Sequence, residues 1–182
     1  MLRVVSSRTA YENPWMAVRE DTFVRPDGSE GLYGVVVRRD FACLVPWDGE
    51  RLWLVEQHRH PVGAWSLELP QGGWDPGDPG DGGPEALARL ELREETGLAA
   101  GALRHLGHLW TGVGGTSQGF DCWLATDLAE GDADRGREEE ASGMRVVRLT
   151  PDELDDAIRE GRVRDSSTLA ALALLDRAGG LP

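Results

Sequence analysis

The feature of this sequence that most restricts its fold is a loop rich in Gly, Pro and Asp that leads directly into a helix. Residues 71–83, QGGWDPGDPGDGG, are dominated by residues that favour turns and cannot form regular secondary structure. In the segment that follows, Pro84 suits the first helical position, Glu85 favours the positive N-terminal end and Gly97 supplies a stop. The sequence therefore predicts a long polar loop followed by a helix that ends near residue 97.

Three glutamates of the predicted helix, Glu91, Glu94 and Glu95, are spaced i, i+3 and i+4 and so share one face. Like charges at this spacing repel one another, and a bound cation would offset that repulsion. Clustered carboxylate oxygens suit Mg²⁺ or Mn²⁺ and not zinc. Taken alone, the same pattern also fits a solvated acidic face that pairs with Arg89 and Arg93.

Strands are predicted on both sides of this helix. Short runs rich in Val, Leu and aromatic residues predict strands over 18–25 and 32–37, joined by a turn, over 41–45 and 52–56, which we expect to pair, and over 103–110, 120–125 and 144–149. A second helix begins at Thr150, which forms a capping box with Glu153, and a third spans 167–178. Helical spacing places Leu87 and Leu90 of the first helix in the core. Mixed strands with helices on their faces predict an α/β sandwich.

Composition excludes several classes of protein. The net charge of −13 repels nucleic acids and anionic membranes, so we expect neither as a partner. It would also repel a phosphorylated substrate unless a cation lies between the two. No apolar run approaches the ~20 residues of a membrane helix. The first residues do not have the pattern of a signal peptide, and we expect a cytoplasmic protein. Cys43 and Cys122 are expected to be buried free thiols.

The predicted helix and its flanks resemble the sequence box of the Nudix hydrolase family, G-x5-E-x7-R-E-U-x-E-E-x-G-U, in which U is aliphatic. The second half of the box is matched by Glu91, Leu92, Glu94, Glu95, Gly97 and Leu98. Its opening is similar to Gly72 and Gly73. Two departures stand out: Leu90 occupies the position of the box arginine, and the loop is longer than the pattern and has no glutamate at the expected position.

Three further segments resemble the ADP-ribose pyrophosphatase branch of that family. Residues 55–62, VEQHRHPV, are similar to its V-x-Q-Y-R-x-P-V, residues 65–72 to its W-E-L-P-A-G, and residues 161–168 to its G-x-I-x-D-x-x-T. The resemblance implies a Nudix-like α/β/α sandwich with a mixed sheet and an N-terminal antiparallel β region. It also implies that residues 1–40 form this region and join two subunits into a homodimer, while residues 41–182 form the catalytic domain.

The resemblance further implies which residues hold a metal. Mg²⁺, or Mn²⁺ in its place, would bind Glu91, Glu94, Glu95 and the backbone carbonyl near Gln71. Either Glu94 or a loop glutamate, Glu140 or its neighbour Glu139, would act as the general base. The alternative for residues 138–140 is a solvated run of charge.

For the substrate, the resemblance implies contacts from residues beside the box. Arg59 would bind a phosphate, Glu68 would contact the adenine or ribose or tune the metal site, and Gly72 and Gly73 would line the substrate. The alternatives are an ordinary surface arginine and an ordinary strand position for the first two. Three aromatic residues are expected to pack in the core rather than to stack on a base: Trp15, Tyr33 and Trp110.

The resemblance thus implies hydrolysis of the diphosphate bond of a nucleoside diphosphate derivative, with ADP-ribose giving AMP and ribose 5-phosphate and no covalent intermediate. One alternative is a related pyrophosphatase that acts on a sugar nucleotide such as GDP-mannose or on dinucleoside polyphosphates. The other is a Nudix-fold binding module, in which Leu90 would mark the loss of catalysis.

Overall fold

A computed structural model describes residues 2–131 and 142–182 of the chain. Its strands are β1 (Arg3–Asn13), β2 (Met16–Val24), β3 (Glu30–Val37), β4 (Phe41–Pro46), β5 (Leu52–Arg59), β6 (Ala64–Glu68), β7 (Gln71–Gly72), β8 (Leu98–Trp110), β9 (Gly119–Glu130) and β10 (Arg145–Leu149). The α-helices are α1 (Gly83–Thr96), α2 (Pro151–Arg159) and α3 (Ser166–Arg177), and a short 3-10 helix spans His60–Val62. Among the described residues, no helix combines the length and apolar character that crossing a lipid bilayer requires.

The N-terminal strands form a sheet of their own. β1, β2 and β3 are antiparallel neighbours in that order, and a tight turn at residues 25–29 joins the last two. Nearly every residue of β1 is exposed. The sheet is attached to the rest of the chain along β3, where the Val36 N–H donates to the Gly115 carbonyl at 2.8 Å. The Tyr33 hydroxyl also donates to the Gly114 carbonyl at 2.8 Å.

The remaining strands form a sandwich with helices on both sides. One sheet has the order β7-β4-β9-β8, in which β4 and β9 run parallel, and the other has the order β10-β5-β6. Helix α1 packs on a buried cluster that includes Leu44 and Leu92. Helices α2 and α3 pack on a second cluster that includes Leu54, Leu154 and Leu175. The predicted α/β/α sandwich with a mixed sheet and an N-terminal antiparallel region is confirmed.

The expected pairing of residues 41–45 with residues 52–56 is wrong. Both segments are strands, but β4 lies between β7 and β9 of one sheet, whereas β5 lies between β6 and β10 of the other. An isolated bridge between Trp47 and Leu52 joins them at the corner. Both strands are buried along most of their length, so each needs cover on both faces and backbone partners on both edges, which a simple hairpin does not supply.

Helix α1 ends where the sequence predicts, but its buried face is rotated. Gly97 closes it with a φ of 76°, a left-handed conformation that favours glycine. Leu87 is buried as expected, whereas Ala88 and Leu92 are buried in place of Leu90, which is half-buried. The buried stripe is therefore turned toward the carboxylates, so that one side of the helix meets both the core and the site.

Both cysteines are free and fully buried, as predicted. Cys43 and Cys122 are direct neighbours in the parallel β4–β9 pair. Burial raises the pKa of both thiols, that of Cys122 to about 12. The two groups therefore stay protonated and behave as small apolar side chains.

The long loop between β7 and α1 is tied to the segment between β3 and β4. Arg39 Nη1 donates to the backbone carbonyls of Asp75 and Asp78, at 3.3 and 3.0 Å. A Cβ at Gly80 would lie 2.7 Å from Arg39 Nη2 and 3.4 Å from the ring of Trp74, so the loop closes tightly around the guanidinium. Trp74 in turn packs against the cluster beneath α1. The loop is irregular, as predicted, but it is held at both the Arg39 and the Trp74 side chain.

Candidate active site

One face of α1 carries the three predicted carboxylates. Glu91 and Glu95 are buried, with 7% and 4% of each residue exposed, and Glu94 is half-buried beside them. A buried carboxylate loses its hydration, so its charge must be compensated by the surroundings. Glu95 Oε2 accepts a hydrogen bond of 2.9 Å from the backbone N–H of Gln71, which ties the helix to β7.

Glycine at position 72 allows β7 to lie directly against Glu91. A Cβ on Gly72 would lie 2.6 Å from the carboxyl carbon of Glu91 and 2.8 Å from its Oε1, well inside normal contact distance. A Cβ on Gly73 would lie 3.3 Å from the backbone oxygen of Asp40. Gly72 therefore lines the carboxylate face, whereas Gly73 lies against the start of β4, and the contact of either glycine with a substrate stays a prediction.

Arg59 and Glu68 form a bidentate ion pair. Arg59 Nε lies 3.1 Å from each carboxylate oxygen, and Arg59 Nη2 lies 2.5 Å from Oε2. Burial alone would raise the pKa of Glu68, but the hydrogen bonds and charge of Arg59 outweigh it and hold the pKa below its usual value. The Glu68 side chain is 4% exposed and that of Arg59 39%, so the pair presents its cationic end outward.

The side chain of Gln71 joins Glu68 to the start of α3. Gln71 Nε2 donates to Glu68 Oε2 at 3.1 Å and to Asp165 Oδ2 at 3.0 Å. Asp165 caps α3 by accepting from the Thr168 N–H at 2.7 Å, and Thr168 Oγ1 accepts from the Leu69 N–H at 2.9 Å. Sequence reasoning placed Asp165 and Thr168 in a matching segment without a role. The structure shows that they anchor the site to α3.

Gln57 is another buried polar side chain that sequence reasoning passed over. It lies on β5 two residues before Arg59 and is 4% exposed. Within the described part of the chain, its Nε2 has no hydrogen-bond partner, and the same holds for Oε1 of Gln71. The signal that could have found Gln57 is the glutamine of the V-x-Q-Y-R-x-P-V pattern.

Leu90 stands where the Nudix box has an arginine, and no neighbouring arginine takes over that position. Leu90 is half-buried, and the adjacent Arg89 points elsewhere: its Nη1 donates to the Ala100 carbonyl at 2.8 Å. The Nε and Nη2 of Arg89 donate to Glu85 Oε1, at 3.2 and 2.9 Å. Arg89 is therefore no substitute for the arginine that the box carries at position 90.

The donor atoms at this face suit a hard divalent cation. No three His, Cys, Asp or Glu side chains within residues 2–131 and 142–182 are gathered as a ready-made metal site. Mg²⁺ does not need one, because it keeps several waters and takes one or two protein carboxylates together with substrate phosphates. The carboxylates of α1 offer oxygen atoms alone as ligands, which Mg²⁺ and Mn²⁺ prefer.

Two further sets of sequence predictions have different outcomes. Glu140 and Glu139, the loop candidates for the general base, fall outside the described residues. The expectation that three aromatic residues pack in the core is wrong, because all three are exposed in the single chain: Trp15, Tyr33 and Trp110. Trp15 and Tyr33 belong to the N-terminal sheet region and Trp110 to the end of β8, where the described residues supply little apolar cover.

Two family models match the sequence. Residues 3–36 match the nucleoside diphosphate sugar hydrolase N-terminal domain, and residues 36–172 match the NUDIX domain. The first range covers the N-terminal sheet, and the second covers α1 with its carboxylates and the start of α3.

The chain is also similar to individual proteins. The chain is 33% identical over 139 residues to an ADP-ribose pyrophosphatase of Mycobacterium tuberculosis; the match covers 75% of this chain but only 65% of that relative's length. It is 29% identical over 174 residues to a methanol dehydrogenase activator of Bacillus methanolicus, covering 95% of this chain and 91% of the other. A crystal structure of an ADP compounds hydrolase has the same fold, with a TM-score of 0.82 at 22% identity over 99% of this chain and 97% of that one. Because the NUDIX match spans most of the sequence and includes the carboxylate helix, the chain belongs to the Nudix hydrolase family.

Proposed function

We propose that this protein hydrolyses the diphosphate bond of a nucleoside diphosphate derivative, with ADP-ribose as the substrate and AMP and ribose 5-phosphate as products. The observation that carries the proposal is the burial of Glu91 and Glu95 against the backbone of Gln71 and Gly72. Keeping two carboxylates of one helix turn away from water costs stability, and a cation bound between them and the substrate would offset part of that cost. The names of the Mycobacterium tuberculosis relative and the ADP compounds hydrolase support this substrate class.

The same residues suit a divalent cation. Mg²⁺ or Mn²⁺ would be held by Glu91, Glu94, Glu95 and the backbone carbonyl of Gln71. When bound, such a cation neutralises the diphosphate and acidifies water. With a net charge of −13, the protein needs this neutralisation to admit a phosphorylated substrate.

The remaining steps fall to side chains of this chain. Arg59, partly exposed and anchored by Glu68, would bind a phosphate oxygen. Glu94, half-buried and so within reach of solvent, would take the proton of the attacking water. Glu140 is the alternative base. Water attacks one phosphorus atom, and the other phosphate leaves without a covalent enzyme intermediate.

We further propose a cytoplasmic homodimer in which residues 1–40 form the dimer-forming region and residues 41–182 the catalytic domain. The support is the exposure of β1, including apolar side chains such as Val4, and of Leu32 on β3. Such apolar surface on one small sheet is typical of a surface that a second subunit covers. The two free cysteines suit a reducing compartment.

The test is a comparison of three proteins on ADP-ribose with Mg²⁺: the parent, Glu95→Gln and Glu85→Gln. Glu95→Gln keeps an acceptor for the Gln71 N–H but removes the charge, and we expect AMP formation to fall by about 100-fold or more. Glu85→Gln makes the same chemical change on the same helix at an exposed position, and it should retain parental activity.

A substrate panel separates this proposal from its alternatives. ADP-ribose, GDP-mannose, NADH and diadenosine polyphosphates are offered to the parent protein with Mg²⁺, and products are separated by chromatography. Preferred turnover of GDP-mannose or a dinucleoside polyphosphate would replace the substrate assignment. No turnover of any of the four, together with measurable binding, would establish a binding module instead.

A further inference from the structure

We propose that the side-chain amide of Gln71 is a positioning residue for Arg59 and acts through Glu68. The proposal rests on the proposed function, because it takes Arg59 as the residue that meets the phosphates of a diphosphate ligand. It concerns the Gln71 side chain, which is separate from the backbone carbonyl assigned to the cation.

The orientation of the Gln71 amide is dictated by its neighbours. Its Nε2 faces two carboxylates, Glu68 at 3.1 Å and Asp165 at 3.0 Å. A flipped amide would place its oxygen against both negative groups, so only the donor can occupy this position. The opposite atom, Oε1, is consequently buried with no hydrogen-bond partner among the described residues. The fold accepts an unsatisfied acceptor in order to keep the two carboxylate contacts.

Glu68 is therefore held from two sides. Its Oε2 accepts from Arg59 Nη2 at 2.5 Å and from Gln71 Nε2 at 3.1 Å. The carboxylate cannot turn without breaking one of these charge-assisted bonds. Asp165, which receives the second N–H of Gln71, is the N-cap of α3. The chain of contacts therefore connects the guanidinium to a rigid helix end.

Arg59 is fixed along one edge and open along the other. Its Nε and Nη2 are taken by Glu68, whereas Nη1 makes no hydrogen bond within the described residues, and the side chain is 39% exposed. A planar guanidinium that is anchored on one edge presents the opposite edge at a set angle. The loss of motion on binding a phosphate is then small, which favours affinity.

A double-mutant cycle on binding tests this proposal. The four proteins are the parent, Gln71→Met, Arg59→Ala and the double variant; methionine has a similar length and no donor. The ligand is an ADP-ribose analogue with a methylene group between the phosphorus atoms, titrated by calorimetry in Mg²⁺. We expect Gln71→Met to raise Kd by about tenfold in the parent background. In the Arg59→Ala background the same substitution should raise Kd by less than about twofold, because the guanidinium that Gln71 positions is absent.

Equal effects in both backgrounds, or no effect in the parent background, would overturn the proposal. Gln118→Met is the matched control: this exposed amide donates to the Arg39 carbonyl at 2.8 Å, and Kd should not change. If Gln71→Met does not fold, as judged by thermal unfolding, Gln71→Ala replaces it in the cycle. If the parent protein binds the analogue but does not cleave ADP-ribose, the proposed function is contradicted, but the double-mutant cycle on binding can still be interpreted. A parent that binds no diphosphate overturns the role of Gln71.

Discussion

Replacing Gly72 with Ala tests whether the close approach of β7 to Glu91 sets the geometry of the carboxylate face. The added methyl carbon would lie 2.6 Å from the carboxyl carbon of Glu91, whereas two carbons in contact prefer about 3.5 Å. Glu91 must therefore retreat by roughly 1 Å. A displacement of that size at a reacting centre costs about 100-fold in rate. The added volume at a buried contact also costs about 1–3 kcal/mol in the free energy of unfolding.

The assay measures kcat/KM for ADP-ribose in Mg²⁺ and urea unfolding on the same preparations. Gly115→Ala is the matched control, because a Cβ there would meet nothing within 4 Å and the backbone does not take a positive φ. We expect Gly72→Ala to lose activity far beyond what its stability loss explains at the assay temperature. A Gly72→Ala protein as active as the Gly115→Ala control would refute the idea that this contact positions Glu91.

Two further variants test the supports of the fold. Thr168→Val removes the oxygen that accepts from the Leu69 N–H, and we expect the free energy of unfolding in urea to fall by about 1–3 kcal/mol; an unchanged value would contradict the role of this bond. The pKa of Glu153 lies below its usual value, 4.5, because the backbone N–H of Thr150 donates to the carboxylate. The Glu153 carboxylate therefore stabilises the folded protein at pH values above its pKa in the unfolded chain. This stabilisation is lost as the pH falls through its lower pKa in the folded protein. Glu153→Gln should lower the free energy of unfolding near neutral pH but not at a pH below the folded pKa of Glu153. If urea titrations show an equal loss at the two pH values, the carboxylate does not stabilise the helix cap.

Features that depend on neighbouring residues could be predicted from the sequence. The end of α1 at Gly97 and the capping box of Thr150 and Glu153 are both present. The N-terminal hairpin of β2 and β3 also matches its turn signal. In each case the determining contacts lie within a few residues along the chain, so local chemistry is sufficient.

Features that depend on distant contacts could not be predicted. The sequence does not show that β4 and β5 belong to different sheets, because strand partners are chosen by burial on both faces. Nor does it reveal that Gln71 meets Asp165, 94 positions away. The carboxylate positions followed from helical spacing, but the contact of Glu91 with Gly72 arises only when β7 is placed against α1.

The attachment of the long loop by Arg39 has a consequence for how this protein can change. The guanidinium holds the backbone oxygens of Asp75 and Asp78, and these oxygens are the same whatever side chains the two residues carry. Most substitutions at either position would leave the attachment intact, whereas loss of Arg39 would remove both hydrogen bonds at once and leave the loop held by Trp74. Because the attachment depends on a residue outside the loop, the side chains of the loop are free to vary. Substitutions in this segment could therefore change which ligands the protein binds without altering the rest of the fold.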